Sequence, residues 1–182
     1  MKITNLVDDE DAVRQVASLL VEGFKESGAT SWLTMADAIA DVRESFDPDR
    51  ISRIWLNEQN QILGWLGGIG QYDGEAWELH PLVVSVSHQG RGIGRALVTD
   101  FEEQVKLRGG ATIWLGTDDE NNRTSLGGVD LYPDVLTHLS NIRNLRRHPY
   151  EFYLKLGYAI TGVIPDANGF GKPDIFMAKR VS

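Results

Sequence analysis

The chain has 182 residues, 42% of them hydrophobic, and 18 basic against 26 acidic residues give a formal net charge of −8. That size and makeup fit one globular domain over residues 1–182 with a sizeable core, and the acidity argues against a nucleic-acid binder while permitting a cationic partner. With no cysteine, disulfides, thiolate metal sites and a cysteine nucleophile are excluded.

Met1 to Asn5 reads as a short strand, and the acidic opening after Lys2 lacks the apolar core of a signal peptide. No run approaches the roughly 20 apolar residues of a membrane span, so the expectation is a cytoplasmic protein without a membrane partner. Asp9 to Phe24 is a helix with Val13, Val16, Ala17, Leu20 and Val21 on one face. Lys25 to Ser31 is a loop. Thr34 followed by Asp37 marks a second helix start, continued by Ala38, Val42 and Phe46 and stopped at Asp47-Pro48. Ile51 to Leu56 and Ile62 to Tyr72 are strands joined as a hairpin at Asn57 to Gln61. Gly64, Gly67, Gly68 and Gly70 in the second of them allow another backbone to come close.

The most informative stretch runs from Trp77 to Arg108. Trp77 to Val86 is a largely buried strand interrupted by Pro81, which cannot donate to a ladder and so forces a bulge or a parting of strands. The backbone groups of Leu82, Val83 and Val84 are thereby offered to something other than a strand. Gln89-Gly90-Arg91-Gly92-Ile93-Gly94 follows, and then Ile93, Leu97, Phe101 and Val105 recur every four residues as an amphipathic helix. A glycine turn at a helix N-terminus presents unpaired N–H groups and the positive end of the helix dipole to a phosphate, with Arg91 and Arg95 adding charge. Taken alone, such a turn also serves merely to join strand and helix. It matches neither the dinucleotide G-x-G-x-x-G pattern, since Arg95 holds the third position, nor a P-loop.

Ala111 to Gly116 is the next strand, parallel to the Trp77 strand if the connecting helix is a crossover. The two are expected to lie together at one end and diverge at the proline. Asp118 to Asp130 is polar and loop-like, Asp134 to Leu145 helical, and Pro149 to Leu156 a short helix ended by Gly157. Tyr158 to Pro165 and Pro173 to Lys179 close the sheet.

Gln89, Gly92 and Gly94 meet the pattern Q/R-x-x-G-x-G/A and resemble the acetyl-CoA pyrophosphate loop of the GNAT superfamily of N-acetyltransferases. Gln71-Tyr72, Trp77 to Val84, Leu115 to Asp119, Asp130 to Tyr132, His148 to Tyr153, Lys155 to Tyr158, Asn168-Gly169, Lys172 to Ile175 and Met177 to Lys179 are similar to bacterial aminoglycoside 6′-N-acetyltransferases. The likeness is specific from Ile62 onward and loose before Ile51, where Phe24 stands at a position expected to hold tryptophan. The resemblance implies an α/β fold of GNAT type: a mixed, mostly antiparallel sheet splayed between the fourth and fifth strands and flanked by helices. It also implies a homodimer, acetyl-CoA as cosubstrate, and an aminoglycoside antibiotic as the amine acceptor.

Residue roles follow from the resemblance joined to the bulge. Coenzyme contacts are expected from Leu82, Val83, Val84, Gln89, Gly90, Arg91, Gly92, Ile93, Gly94 and Arg95. The Leu82 N–H is the expected donor to the thioester oxygen. Glu78, on the strand face of His80, is the candidate base or amine-binding carboxylate, and its plainer reading is a solvated or salt-bridged strand residue. Tyr72, Glu78, Asp118 and Asp119 are the expected acceptor contacts. Tyr153 is the candidate acid for the departing CoA sulfur, expected to point away from a Phe152 and Leu156 core face; packing of its ring is the plainer reading. The four histidines show no metal-ligand spacing, and no metal is expected. Two other functions remain open: an acetyltransferase for another cationic amine, a polyamine or protein lysine, and a non-catalytic acyl-CoA sensor.

Overall fold

The computed structural model describes residues 2–25 and 31–182. Of the expected loop over 25–31, residues 26–30 lie outside that range, as does Met1 of the first strand. The chain is α/β, with seven strands and five α-helices among the described residues. It forms two compact units, Met1–Ile113 with Arg180–Ser182, and Trp114–Lys179.

In the first unit, β1 (Lys2–Asn5), β2 (Arg50–Leu56), β3 (Ile62–Gln71) and β4 (Ala76–Val84) pair antiparallel in sequence order. The β2–β3 hairpin turns where expected: Asn57 N–H donates to Gln61 O, and the Asn57 side-chain oxygen accepts from Gln59 and Gln61 N–H. Helix α1 (Glu10–Phe24) starts at Asp9, whose carboxylate accepts from Asp11 and Ala12 N–H. Helix α2 (Met35–Glu44) opens on the expected Thr34 and Asp37, a reciprocal capping box, and ends before Phe46. The helices bury Val13, Val16, Ala17, Leu20, Ala38 and Val42 with Trp65 of β3 and Val83 of β4. Helix α3 (Ile93–Leu107) buries the predicted stripe of Ile93, Leu97, Phe101 and Val105. Of the β3 glycines, Gly67 and Gly70 meet backbone as expected, a Cβ there lying 2.5 Å from His80 O and 3.1 Å from Asp49 O, whereas Gly68 and Gly64 make room for α3 side chains, a Cβ lying 2.2 Å from the Phe101 ring and 3.0 Å from Ile93 and Leu97. The beginnings of β4 and β5 (Thr112–Asp118) meet where Ala111 and Thr112 N–H donate to Glu75 O.

In the second unit β6 (Ala159–Ile164) and β7 (Asp174–Arg180) pair antiparallel, and Leu126, Leu131 and Ile175 form the centre of its core. Two helices are shorter than predicted. Helix α4 (Val135–Ser140) stops because Asn141 turns out of helical geometry and the chain beyond is drawn to the 123–125 loop, with Arg143 N–H on Ser125 Oγ and Leu145 N–H on Arg123 O. Helix α5 spans Tyr150–Leu154. Among the described residues no helix is long and apolar enough to cross a membrane.

Candidate active site

The site is organised by an irregularity in β4. Leu82 lies opposite Leu66 and Leu79 opposite Gly68, so His80 and Pro81 together face the single residue Gly67. This is a β-bulge at the predicted proline. Gly67 has to be glycine, since a Cβ there would lie 2.5 Å from His80 O and 3.2 Å from Pro81 Cδ. One extra residue reverses the alternation of side chains. Trp77 accordingly packs on Val105 and Gly110 at the α3 side, whereas Val83, also odd-numbered, packs among α1 and α2. Before the bulge it is therefore Glu78 and His80 that occupy the α1/α2 side.

The backbone after the bulge is equally directed. Ser85 N–H donates to Leu63 O at 2.9 Å, and hydrogen-bonded pairs alternate along an antiparallel ladder. In this register Val83 is the next residue bonded to β3, while Leu82 and Val84 turn their N–H and C=O groups away from β3. Val83 is thus corrected from the predicted coenzyme contacts: its amide serves the ladder and its side chain is only 3% exposed in the core.

Beyond Val84 the chain makes a single 3-10 turn over Val86–His88, and Gln89 donates its side-chain amide to Val84 O at 3.3 Å. Gly90 and Gly92 adopt φ values of 74° and 87°, with no atom within 4 Å of an added Cβ. Glycine is needed there for backbone conformation and for the open ground above it, not for packing. Gly92 caps α3 without a side-chain acceptor, leaving the first-turn amides of Ile93, Gly94 and Arg95 to a ligand. Arg91 and Arg95 are exposed, and among the described residues neither forms an ion pair. Open backbone donors, a 15-residue helix dipole and two unpaired guanidinium groups fit a diphosphate. Ile93 contributes its backbone alone, its side chain being 6% exposed.

On the α1/α2 side, Glu78 is half-buried and accepts from Gln71 Nε2 at 3.0 Å, which fixes the carboxylate. His80 is exposed, and its ring lies 5.8 Å from that of Trp32. Trp32 donates its indole N–H to Asp41 Oδ2 at 2.7 Å. A cavity of about 360 Å³ opens beside them, lined by Trp32, His80, Asp37, Asp41 and Glu44 among others. Tyr72 stands exposed at the turn after β3. Trp32 and Asp41 escaped the sequence reading, since they are nine residues apart in a loosely resembling region. The one local signal was the capping box, which sets Asp41 a turn beyond Asp37 on the same helix face.

The second unit carries the remaining predicted residues and divides the acidic pair. Asp118 is exposed and its carboxylate accepts from Asn168 Nδ2, so it remains a candidate acceptor contact. Asp119 is fully buried and accepts from Arg123 N–H, Thr124 N–H and Thr124 Oγ1. Its burial and these three bonds give it the part of holding the loop, which leaves Asp118 as the exposed member of the pair. Beneath Asp118 lies His148, 2% exposed, with Nε2 at 3.0 Å from Asp118 O and Nδ1 receiving Tyr150 N–H. A carbonyl only accepts, so this geometry requires a neutral ring protonated at Nε2. Burial also holds the imidazole below its ordinary range. The face expected for α5 is reversed: Tyr150 and Tyr153 are buried, while Phe152 and Leu156 are half-exposed. Tyr153 meets Phe152 and Tyr158 edge-on, and burial pushes its phenol above the ordinary range, so the hydroxyl stays protonated.

Residues 14–132 match the model of the acetyltransferase (GNAT) family. The chain is 41% identical to the crystal structure of an aminoglycoside 6′-N-acetyltransferase complexed with coenzyme A, with a TM-score of 0.90 over 100% of this chain and 98% of that one. It is also 41% identical to the aminoglycoside 6′-N-acetyltransferase from Enterococcus faecium, with the same coverage and a TM-score of 0.88. An aminoglycoside 6′-acetyltransferase type Ii is similar at 37% identity and a TM-score of 0.72, again over 100% and 98%. No curated protein sequence matches significantly.

Proposed function

Because the chain belongs to the acetyltransferase (GNAT) family, using acetyl-CoA to acylate an amine, we propose that it is an aminoglycoside 6′-N-acetyltransferase that confers resistance to those antibiotics. The acceptor class is carried by one observation, the 41% identity that runs the length of the chain and of two such enzymes. We take residues 1–182 as a single acetyltransferase domain, cytoplasmic in keeping with its lack of cysteine, and homodimeric, which sedimentation velocity tests.

The geometry supports the following roles. Gln89 to Arg95 hold the diphosphate with the first-turn amides of α3. Leu82 and Val84 offer backbone groups to the pantetheine amides as an added strand would. An aliphatic ammonium has a reference pKa of about 10.4, so freeing its lone pair at pH 7 costs on the order of 4 to 5 kcal/mol. Glu78 accepts that proton, directly or through one water. The nitrogen lone pair forms the new C–N bond, and the Leu82 N–H stabilises the charge growing on the thioester oxygen. As the C–S bond breaks, Tyr153 gives its proton to the leaving sulfur. Tyr72 and Asp118 bind other parts of the acceptor.

The test is thiol release from acetyl-CoA against a panel of 6′-amino aminoglycosides, polyamines and a lysine peptide. Turnover of the aminoglycosides is expected. Activity confined to another amine rejects the acceptor, and CoA binding without any turnover returns the sensor reading.

A further inference from the structure

Resting on that reading, we propose that Trp32 is a positioning residue for the acceptor: through Asp41 and His80 it sets the walls of the cavity on the α2 side of Glu78, where a non-reacting cationic aminosugar ring is held. The indole is 8% exposed, too little to supply much contact surface itself. Its effect is on its neighbours. One face packs on Phe24 at a centroid distance of 4.6 Å, tying it to the end of α1. His80 lies against it at 5.8 Å, which holds an imidazole that the strand leaves exposed. The indole N–H on Asp41 Oδ2 at 2.7 Å is charge-assisted and fixes the carboxylate orientation.

The cavity so framed measures about 360 Å³, within the range of small-molecule sites. Its acids are not equivalent. Asp37 Oδ2 is used by Thr34 in the helix cap, and Asp41 Oδ2 by Trp32. Asp41 Oδ1 and Glu44 remain, and among the described residues Glu44 forms no ion pair. A rigid carboxylate edge beside an imidazole suits an ammonium-bearing sugar. The register supplies the link to chemistry, for His80 stands two residues from Glu78 on the same side of β4.

The experiment measures acceptor affinity by calorimetry with a 6′-amino aminoglycoside alone, and steady-state constants for acceptor and acetyl-CoA. It compares wild type, Trp32→Phe, Trp32→Ala, Asp41→Asn and Trp32→Phe with Asp41→Asn. Trp32→Phe keeps the ring packing and loses the N–H, whereas Asp41→Asn keeps an oxygen for that N–H and removes the charge. Each is expected to weaken acceptor binding about tenfold, with acetyl-CoA KM and kcat within about twofold. The double variant is expected to be little worse than Asp41→Asn alone, since Trp32 acts by orienting a charge that this substitution has already removed. Unchanged acceptor affinity, an equal rise in acetyl-CoA KM, or additive losses would overturn the inference. Should Trp32→Ala fail to fold, the two milder substitutions decide. A wild type that acetylates another amine but no aminoglycoside sinks the proposed function alone, and the same split is then read on that amine. One that binds no amine sinks both.

Discussion

Substituting Glu78 by Gln separates the base from the carboxylate's structural part. The Gln71 amide donates to Glu78 Oε2 at 3.0 Å, and a glutamine carbonyl at the same place still accepts it. Stability is therefore expected within about 0.5 kcal/mol of wild type. The chemical loss is larger. Without a base, attack falls to the free-amine fraction, and a reference pKa of about 10.4 makes that roughly 1 part in 2,500 at pH 7. General-base assistance contributes on the order of 10² to 10⁴, so kcat/KM for the acceptor should fall by about that factor at pH 7, or about 3 to 5 kcal/mol. The variant's rate should also rise about tenfold per pH unit as the amine deprotonates itself, narrowing the gap at pH 9 about a hundredfold. Thiol-release kinetics from pH 6.5 to 9.5, with acetyl-CoA KM as the internal control, measure both. A loss below about tenfold, or a constant ratio across that range, refutes Glu78 as the base.

Gly92→Ala places a Cβ in open space at φ 87°, so its cost is conformational, about 1 to 2 kcal/mol, and calorimetry should show CoA binding weakened and the melting midpoint lowered by about 2 to 8 °C. Gly68→Ala differs in kind: with the new Cβ 2.2 Å from the Phe101 ring, overpacking should cost about 1 to 3 kcal/mol in urea unfolding, with an unchanged m-value. His148 sets a pH dependence. Its folded-state pKa is lowered by burial, so the unfolded chain binds the extra proton first as pH falls through about 6.5, and stability should decline from there down to the folded pKa. Asp118, Asp119 and Arg123 act on the same ring, and His148→Gln should flatten this part of the stability curve while their contributions remain. Finally, raising salt from about 0.05 to 0.5 M should raise the acceptor KM clearly more than the acetyl-CoA KM, because the acceptor meets an exposed carboxylate field. Equal sensitivity contradicts the acidic site.

What the sequence disclosed was what local rules determine. A four-residue apolar stripe requires α3, Thr34 and Asp37 begin α2 whatever surrounds them, and Pro81 spoils a ladder wherever it is placed. Adjacent letters with opposite fates were beyond it. Asp118 and Asp119 are the same residue type at the same strand end, yet one is exposed and the other is closed over by the amides of Arg123 and Thr124. Only the path of that loop decides between them. The spacing of Phe152 and Leu156 points to them as the core face of α5, yet it is the Tyr153 ring that is buried, packed against Phe152 and Tyr158. Trp32 and Asp41 meet through a side-chain hydrogen bond across nine residues, for which no spacing rule exists.

The bulge gives these facts a common cause. A regular β4 would keep one parity throughout, and with Trp77 and Leu79 fixed on the α3 side, Val83 would have to join them and leave the α1/α2 core. Inserting a residue at His80–Pro81 lets Val83 fill that core while Glu78 and His80 keep the same side of the sheet, beside Trp32. The register that follows turns the Leu82 and Val84 amides from β3, and Gln89 ties the glycine turn to Val84 O. Glu78, the Leu82 amide and the glycine turn, proposed above as base, oxygen-stabilising donor and diphosphate site, thus succeed one another along about 20 residues of chain, with the same irregularity between the first two. Gly67 is the condition for all of it, since any Cβ there would meet the displaced His80 carbonyl.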